Sequence, residues 1–159
     1  MTGTGVRTTR VPVSEPVEHD YADAFRAVVP RPDDRAPEEW VRAGFEQAPW
    51  LVRRVIRFAQ GRLLRFRLAP LDAPGHVLGW QVVTSTPDVV RLEARSPLLD
   101  GVLVARRMDA HATVLTTALR FAHPAARPVW GMVGPLHRAL APRLLARAAR
   151  SGQTTGLGR

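Results

Sequence analysis

Cysteine and lysine are both missing from this sequence of 159 residues. The absence of cysteine excludes a disulfide framework, thiolate metal ligands and a cysteine nucleophile. No apolar run approaches the roughly 18–20 residues that a membrane-spanning helix needs. The N-terminal residues also lack the apolar stretch of a secretory signal. We therefore expect a cytoplasmic protein without a membrane span.

The positive charge is carried by arginine alone, with 23 arginines and a formal net charge of +9. Abundant alanine, proline, glycine and valine accompany it, a usage typical of a GC-rich genome. We interpret the excess charge mainly as a solvated basic surface. Arginine is also a strong ligand for phosphate and carboxylate groups, so an anionic partner is the alternative.

Six of the arginines lie within fifteen residues of one another. They are Arg53, Arg54, Arg57, Arg62, Arg65 and Arg67. Such a cluster could neutralise nucleic-acid phosphates, but no DNA-binding motif surrounds it and aromatic residues are sparse. We favour a solvated helix face and strand exterior over a nucleic-acid surface.

The N-terminal third predicts one strand and a short helix. Residues 4–13 alternate weakly between apolar and polar side chains, which indicates a strand. Asp20 can cap a following helix with Tyr21, Phe25 and Val28 on one face. The residues between Asp20 and Pro30 are therefore expected to be helical.

Two further helices are predicted at Pro37 and Pro49, since proline is well placed in the first turn of a helix. The second should end near Gly61. Alternation then predicts strands at 77–85, 90–95, 102–108 and 112–121. Residues 62–68 read as a strand but could equally continue the helix, and the inward phase of 102–108 stays open because both phases contain an arginine.

The C-terminal segment from about Pro128 to Arg150 is amphipathic with helical spacing. One stripe carries Trp130, Val133, His137, Leu140 and Leu144. Pro135 and Pro142 lie on the opposite side, where their kinks would bend the helix around whatever its inner face contacts. A bent helix across an antiparallel sheet would enclose a cavity.

The order of these elements predicts an α+β domain. A curved antiparallel sheet of about six strands would carry the long C-terminal helix across it, with two or three short helices after the first strand. This is the helix-grip arrangement. We expect a single domain over residues 1–150 and a flexible polar tail over residues 151–159.

Short sequence pieces resemble the bacterial family known as domain of unknown function 2867. They include Leu78-Gly-Trp80, Val90-Arg-Leu-Glu-Ala94 and Pro135-Leu-His137-Arg138, and the resemblance spans roughly residues 20–149. That family is similar to the START/polyketide-cyclase (SRPBCC) superfamily. The resemblance implies a helix-grip fold with a hydrophobic pocket, but no agreed activity.

The functional hypothesis is binding of an apolar or amphipathic small molecule between the sheet and the C-terminal helix. The expected lining residues are Trp80, Leu92, Leu115, Trp130, Val133, His137 and Leu140. No cofactor is implied. The five histidines show no metal-ligand spacing, so no metal site is expected, and oligomeric state stays open.

Two alternatives remain from the sequence. In the first, a cyclase or dehydratase type of enzyme uses His137 as a general acid or base. Arg106 or Arg107, whichever faces inward, would then stabilise an oxyanion or bind a ligand carboxylate. In the second, the chain is an arginine-rich interaction module for a nucleic acid or an anionic protein.

Overall fold

A computed structural model describes residues 5–154 and has an α+β architecture. The strands are β1 (Arg7–Val11), β2 (Tyr21–Val28), β3 (His76–Val77), β4 (Trp80–Ser85), β5 (Val89–Arg95), β6 (Leu99–Asp109) and β7 (Ala112–Phe121). The helices are α1 (Pro37–Phe45), α2 (Trp50–Phe58) and α3 (Ala126–Thr154), with a π-helical turn at Ala59–Leu63. The strands form one antiparallel sheet in the order β1-β2-β7-β6-β5-β4-β3.

The short helix predicted after Asp20 is wrong, because these residues form β2, which pairs with both β1 and β7. Tyr21, Asp23 and Phe25 alternate toward the helices, while Ala24 on the opposite face is also buried. Alanine on the outer face removed the polar alternation that marks a half-buried strand. The element therefore resembled an amphipathic helix in sequence.

The sheet has seven strands where about six were expected, because two strands were not predicted and the possible strand at residues 62–68 is absent. The added strand β2 is one. The segment predicted as a single strand over 77–85 is divided between β3 and β4 by a turn at Leu78 and Gly79. Both turn residues have positive φ, 50° and 86°, as a two-residue type I′ hairpin turn requires.

Residues 62–68 do not form a strand, and the alternative continuation of the helix reaches only Leu63. The π-helical turn ends at Leu63, and irregular backbone follows. Arg65 has a φ of 58°, a left-handed conformation that interrupts both helix and strand geometry. The apparent alternation arises because Leu64 and Phe66 turn inward while Arg65 and Arg67 are exposed.

The long C-terminal helix is present as α3 and contains both prolines in one continuous element. It extends to Thr154, so residues 151–154 of the predicted tail are helical, and 155–159 lie outside the described residues. Gly44 of α1 approaches α3 closely: a Cβ on Gly44 would lie 2.9 Å from the Cβ of Ala148. Within residues 5–154 no helix combines the length and apolarity needed to cross a membrane.

Candidate functional site

A cavity lies between the inner face of the sheet, the inner side of α3 and the α1–α2 region. The volume of this cavity is about 100 Å³. Six residues predicted from the sequence line it, namely Trp80, Leu115, Trp130, Val133, His137 and Leu140. They come from β4, β7 and α3, so the fold brings together side chains distant in sequence.

Leu92 lies in the core and outside the set of lining residues. It is 1% exposed. It belongs to a row of paired positions that crosses the sheet from Val82 through Leu92, Leu103 and Thr117 to Asp23. Only Leu103 and Thr117, in the middle of the row, line the cavity. The inward phase of β5 was therefore predicted correctly, but its lateral position could not be read from alternation.

The polar corner of the cavity wall is formed by His137, Asp23 and Tyr21. The Nε2 atom of His137 lies 2.9 Å from Oδ2 of Asp23, and the Tyr21 hydroxyl donates to the same oxygen at 2.6 Å. The side chain of Asp23 has no exposed surface. Asp23 thus lies behind His137, which is the member of the trio that lines the cavity.

The carboxyl group of Asp23 is held in its ionised form. Burial would by itself raise its pKa, but the hydrogen bond and charge of His137 and the Tyr21 hydroxyl together lower the pKa below its usual value. Burial of the Tyr21 hydroxyl raises the pKa of Tyr21, and its hydrogen bond to Asp23 raises it further. Tyr21 therefore remains a hydrogen-bond donor to a carboxylate.

This arrangement fixes the roles of the two ring nitrogens of His137. A carboxylate only accepts hydrogen bonds, so Nε2 carries a proton. Nδ1 makes no hydrogen bond to any residue from 5 to 154. In the neutral imidazole Nδ1 has a free lone pair and can accept a hydrogen bond or a proton.

Aromatic rings surround this corner. The Trp130 ring centroid lies 4.9 Å from that of Tyr21 and 5.4 Å from that of His137. Two buried polar atoms here, Oδ1 of Asp23 and Nε1 of Trp130, have no hydrogen-bond partner in the described part of the chain. Such atoms are costly in a folded protein, which sets this corner apart from an ordinary apolar core.

Two further polar side chains contact the cavity. Gln60 accepts a hydrogen bond from Nε1 of Trp80 at 3.1 Å, which orients the indole. Thr117 contributes its side chain from the middle of β7. The remaining lining is almost wholly aliphatic or aromatic, so the cavity is an apolar space with a few fixed polar groups.

Neither arginine of β6 reaches this cavity. Arg107 is on the inner face, where its guanidinium donates to the backbone carbonyl of Arg35. Arg106 is on the outer face and binds Glu15 at 2.6 Å. The hypothesis of an inward arginine that holds a ligand carboxylate or an oxyanion in the cavity is therefore wrong for both residues.

The acidic partner of His137 was missed because Asp23 lay in a segment interpreted as a helix. The sequence feature that could have identified this partner is a single aspartate flanked by alanines between Tyr21 and Phe25. Interpreted as a strand, this segment places Asp23 on the same face as two aromatic residues. An isolated acid on an apolar strand face predicts a buried partner. Among the described residues, no group of three or more histidine, aspartate or glutamate side chains could hold a metal ion.

Comparisons with known proteins leave the family open. No protein-family model and no curated protein matches the chain. A solved structure with weak similarity is that of PA94 from Pseudomonas aeruginosa, a protein of unknown function described as a candidate regulator. It has 17% identity and a TM-score of 0.24, over 87% of this chain and 82% of PA94. The family resemblance seen in the sequence stays a prediction.

Proposed function

We propose that the protein binds an apolar or amphipathic small molecule in the cavity between its sheet and α3. The observation that supports this most directly is the cavity itself, with apolar walls and the Asp23–His137 pair at one corner. An engineered apolar cavity of about 150 Å³ admits benzene, and this cavity of about 100 Å³ therefore suits a short acyl chain or at most one small ring. The apolar part of the ligand would replace empty space, and a polar group would face Nδ1 of His137.

The fold assignment is part of the same proposal. A long C-terminal helix lies over an antiparallel sheet with a cavity between them, as a helix-grip protein of the SRPBCC type would have. The resemblance to the bacterial family of unknown function points in the same direction. A cytoplasmic location also belongs to this proposal.

Ligand binding is tested by thermal unfolding with short-chain fatty acids and single-ring aromatic probes, alongside native mass spectrometry of the purified protein. A ligand at about 100 times its dissociation constant stabilises the folded state by roughly 2.7 kcal/mol, which is measurable as a rise in Tm. The variant Ala141→Leu adds volume at a lining position and should abolish that rise. The same substitution at the exposed Ala139 of α3 is the matched control and should preserve it.

The proposal would be overturned if no probe raised the Tm of the wild-type protein and no small molecule co-purified with it. It would also fail if Ala141→Leu and Ala139→Leu responded equally to every ligand. A variant that no longer unfolds cooperatively is replaced by Ala141→Val, which adds less volume at the same wall.

A second candidate is a cyclase or dehydratase type of enzyme on the same ligand. The observation that favours it is the hydrogen bond from Nε2 of His137 to the buried carboxylate, which orients the ring and leaves Nδ1 as the candidate general acid or base. Mass spectrometry of the bound compound after incubation distinguishes the two functions. A product that forms with the wild type and not with His137→Gln indicates catalysis, whereas a ligand recovered unchanged from both proteins indicates binding alone.

A further inference from the structure

The outer side of α2 and the segment after it expose an unusual concentration of apolar side chains. Six of the nine exposed large hydrophobic residues in the described part of the chain lie between positions 50 and 71. They are Trp50, Leu51, Val55, Phe58, Leu63 and Leu71, and we call them the α2 surface. Trp50 is 66% exposed and Phe58 is 58% exposed. Isolated exposed apolar residues are ordinary, but a contiguous group marks an interaction surface.

The helical spacing places these side chains side by side. Leu51, Val55 and Phe58 follow one another at positions i, i+4 and i+7, which form one stripe of a helix. Within α2, only Ile56 is buried against the rest of the molecule. A nine-residue helix that buries one side chain inward and exposes its tryptophan and phenylalanine is poorly explained by packing of the chain alone.

Arginines border the apolar stripe. Arg53, Arg54, Arg57 and Arg62 line an open groove together with Trp50, Phe58 and Leu71. The sequence has no acidic residue between Glu46 and Asp72. No arginine from position 53 to position 67 forms an ion pair with any described carboxylate. The charge of the exposed arginines, Arg54 and Arg62 among them, is therefore available to an external anion.

We propose that the α2 surface docks onto an anionic lipid bilayer. An amphipathic helix that combines tryptophan, phenylalanine and leucine with arginine lies in the plane of a membrane, with its apolar side in the acyl boundary and its cations at the lipid phosphates. A nucleic acid would also attract the arginines, but it would leave Leu51, Val55 and Leu71 without an apolar partner. The aliphatic side chains thus favour lipid.

The docking surface and the cavity share one wall. Ile56, Ala59, Gln60 and Leu64 line the cavity from the inner side of the same segment. Docking would place this wall against the bilayer, where apolar and amphipathic molecules are concentrated. Membrane docking itself does not require that the cavity holds a ligand, so the two proposals can fail separately.

Vesicle flotation with the full chain tests the docking proposal. We expect binding to vesicles of phosphatidylcholine with about 30% phosphatidylglycerol, weaker binding to pure phosphatidylcholine, and a loss of binding as salt increases. Trp50 is an internal probe, because Trp40, Trp80 and Trp130 are buried. Its emission should shift to shorter wavelength on binding, and Trp50→Phe should remove that shift.

Matched variants separate the charge from the apolar contribution. Arg54→Gln with Arg62→Gln should weaken partition into anionic vesicles roughly 25-fold, since each arginine near such a surface contributes about a fivefold factor. Leu51→Ala with Phe58→Ala should weaken it about tenfold or more. Arg143→Gln with Arg147→Gln, two exposed positions on α3, removes the same charge elsewhere and should have much less effect.

Two results would overturn the proposal. In the first, the α3 pair weakens vesicle binding as strongly as the α2 pair, which would indicate net charge alone. In the second, the protein does not bind anionic vesicles but binds a single-stranded oligonucleotide at the same salt concentration. The Leu51 and Phe58 substitutions leave its affinity for the oligonucleotide unchanged. That outcome would assign the arginines to a nucleic acid.

Discussion

Asp23 places a carboxylate without exposed surface between the side chains of His137 and Tyr21. A buried carboxylate is tolerated only when its hydrogen bonds offset the loss of water. Here those bonds come from the first residue of β2 and from the middle of α3, which are far apart in sequence. The pair therefore contributes both to the packing of α3 on the sheet and to the orientation of the imidazole in the cavity wall.

The lowered pKa of Asp23 predicts how stability depends on pH. A carboxyl group whose pKa is lower in the folded than in the unfolded state stabilises the fold above its unfolded pKa, and that contribution is lost as the pH falls through the folded value. We expect the free energy of unfolding of wild type minus that of Asp23→Asn to be constant above about pH 5 and to decrease on acidification below about pH 4. Chemical denaturation of both proteins across this range measures the difference. A difference that stays constant on acidification would contradict the ionised assignment.

At the residue scale, the sequence was most informative about the inner stripe of α3. Trp130, Val133, His137 and Leu140 all line the cavity, because a helical stripe needs only its own spacing to be recognised. The partner of His137 was beyond reach, since Asp23 lies 114 positions away and contacts His137 only after β2 has paired with β7. A partner of this kind depends on topology rather than on a local pattern.

The helices and strands differ in how far their sequences specify them. Helices α1 and α2 begin at or directly after Pro37 and Pro49, as predicted, because a proline start signal is local. Strand β2 was missed because alanines at Ala22 and Ala24 on its outer face weaken the apolar–polar alternation and also suit a helix. The turn at Leu78–Gly79 was missed because leucine rarely adopts positive φ, which hid the hairpin between β3 and β4.

At the scale of the elements, the contact at Gly44 tests how tightly α1 packs on α3. Gly44→Ala would gain about 1 kcal/mol of helix propensity, but its Cβ would lie 2.9 Å from the Cβ of Ala148 and 3.0 Å from the carbonyl oxygen of Leu144. The two helices would have to separate, so we expect a net loss of about 1–2 kcal/mol. Thermal or urea unfolding measures this loss.

The matched control is Gly131→Ala within α3. Outside its chain neighbours and the nearby backbone of α3, no atom of residues 5–154 lies within 4 Å of the Cβ that this change would add. Only propensity therefore acts, and the protein should gain roughly 0.5–1 kcal/mol. A gain of the same size for Gly44→Ala would show that the contact between α1 and α3 is looser than the structure indicates.

At the scale of the whole molecule, the C-terminal end of α3 is fastened to the loop between β2 and α1. Arg35 binds Asp33 at 2.6 Å and also donates to the Ala148 carbonyl and the Ser151 hydroxyl. Gln153 exchanges two hydrogen bonds with the backbone of Arg31. His137 and Asp23 hold the middle of the same helix on the sheet. The wall of the cavity that α3 supplies is therefore held in place at two separate points.

Removing the Arg35 contacts should loosen the end of α3 without disturbing its middle. Burial alone would raise the pKa of Asp33, and the hydrogen bonds from Arg35 lower it, so Arg35→Ala leaves a largely buried carboxylate with fewer partners. We expect a loss of about 2–3 kcal/mol in the free energy of unfolding. Relative to the wild type, amide exchange should accelerate more over residues 148–154 than over the turn around His137. Arg120→Ala breaks the exposed pair with Glu18 and should cost less than about 0.5 kcal/mol. Equal losses in the free energy of unfolding for the two variants would mean that the Arg35 contacts do not hold the helix. Equal acceleration of amide exchange in Arg35→Ala at both points of α3 would show that the helix moves as one rigid unit.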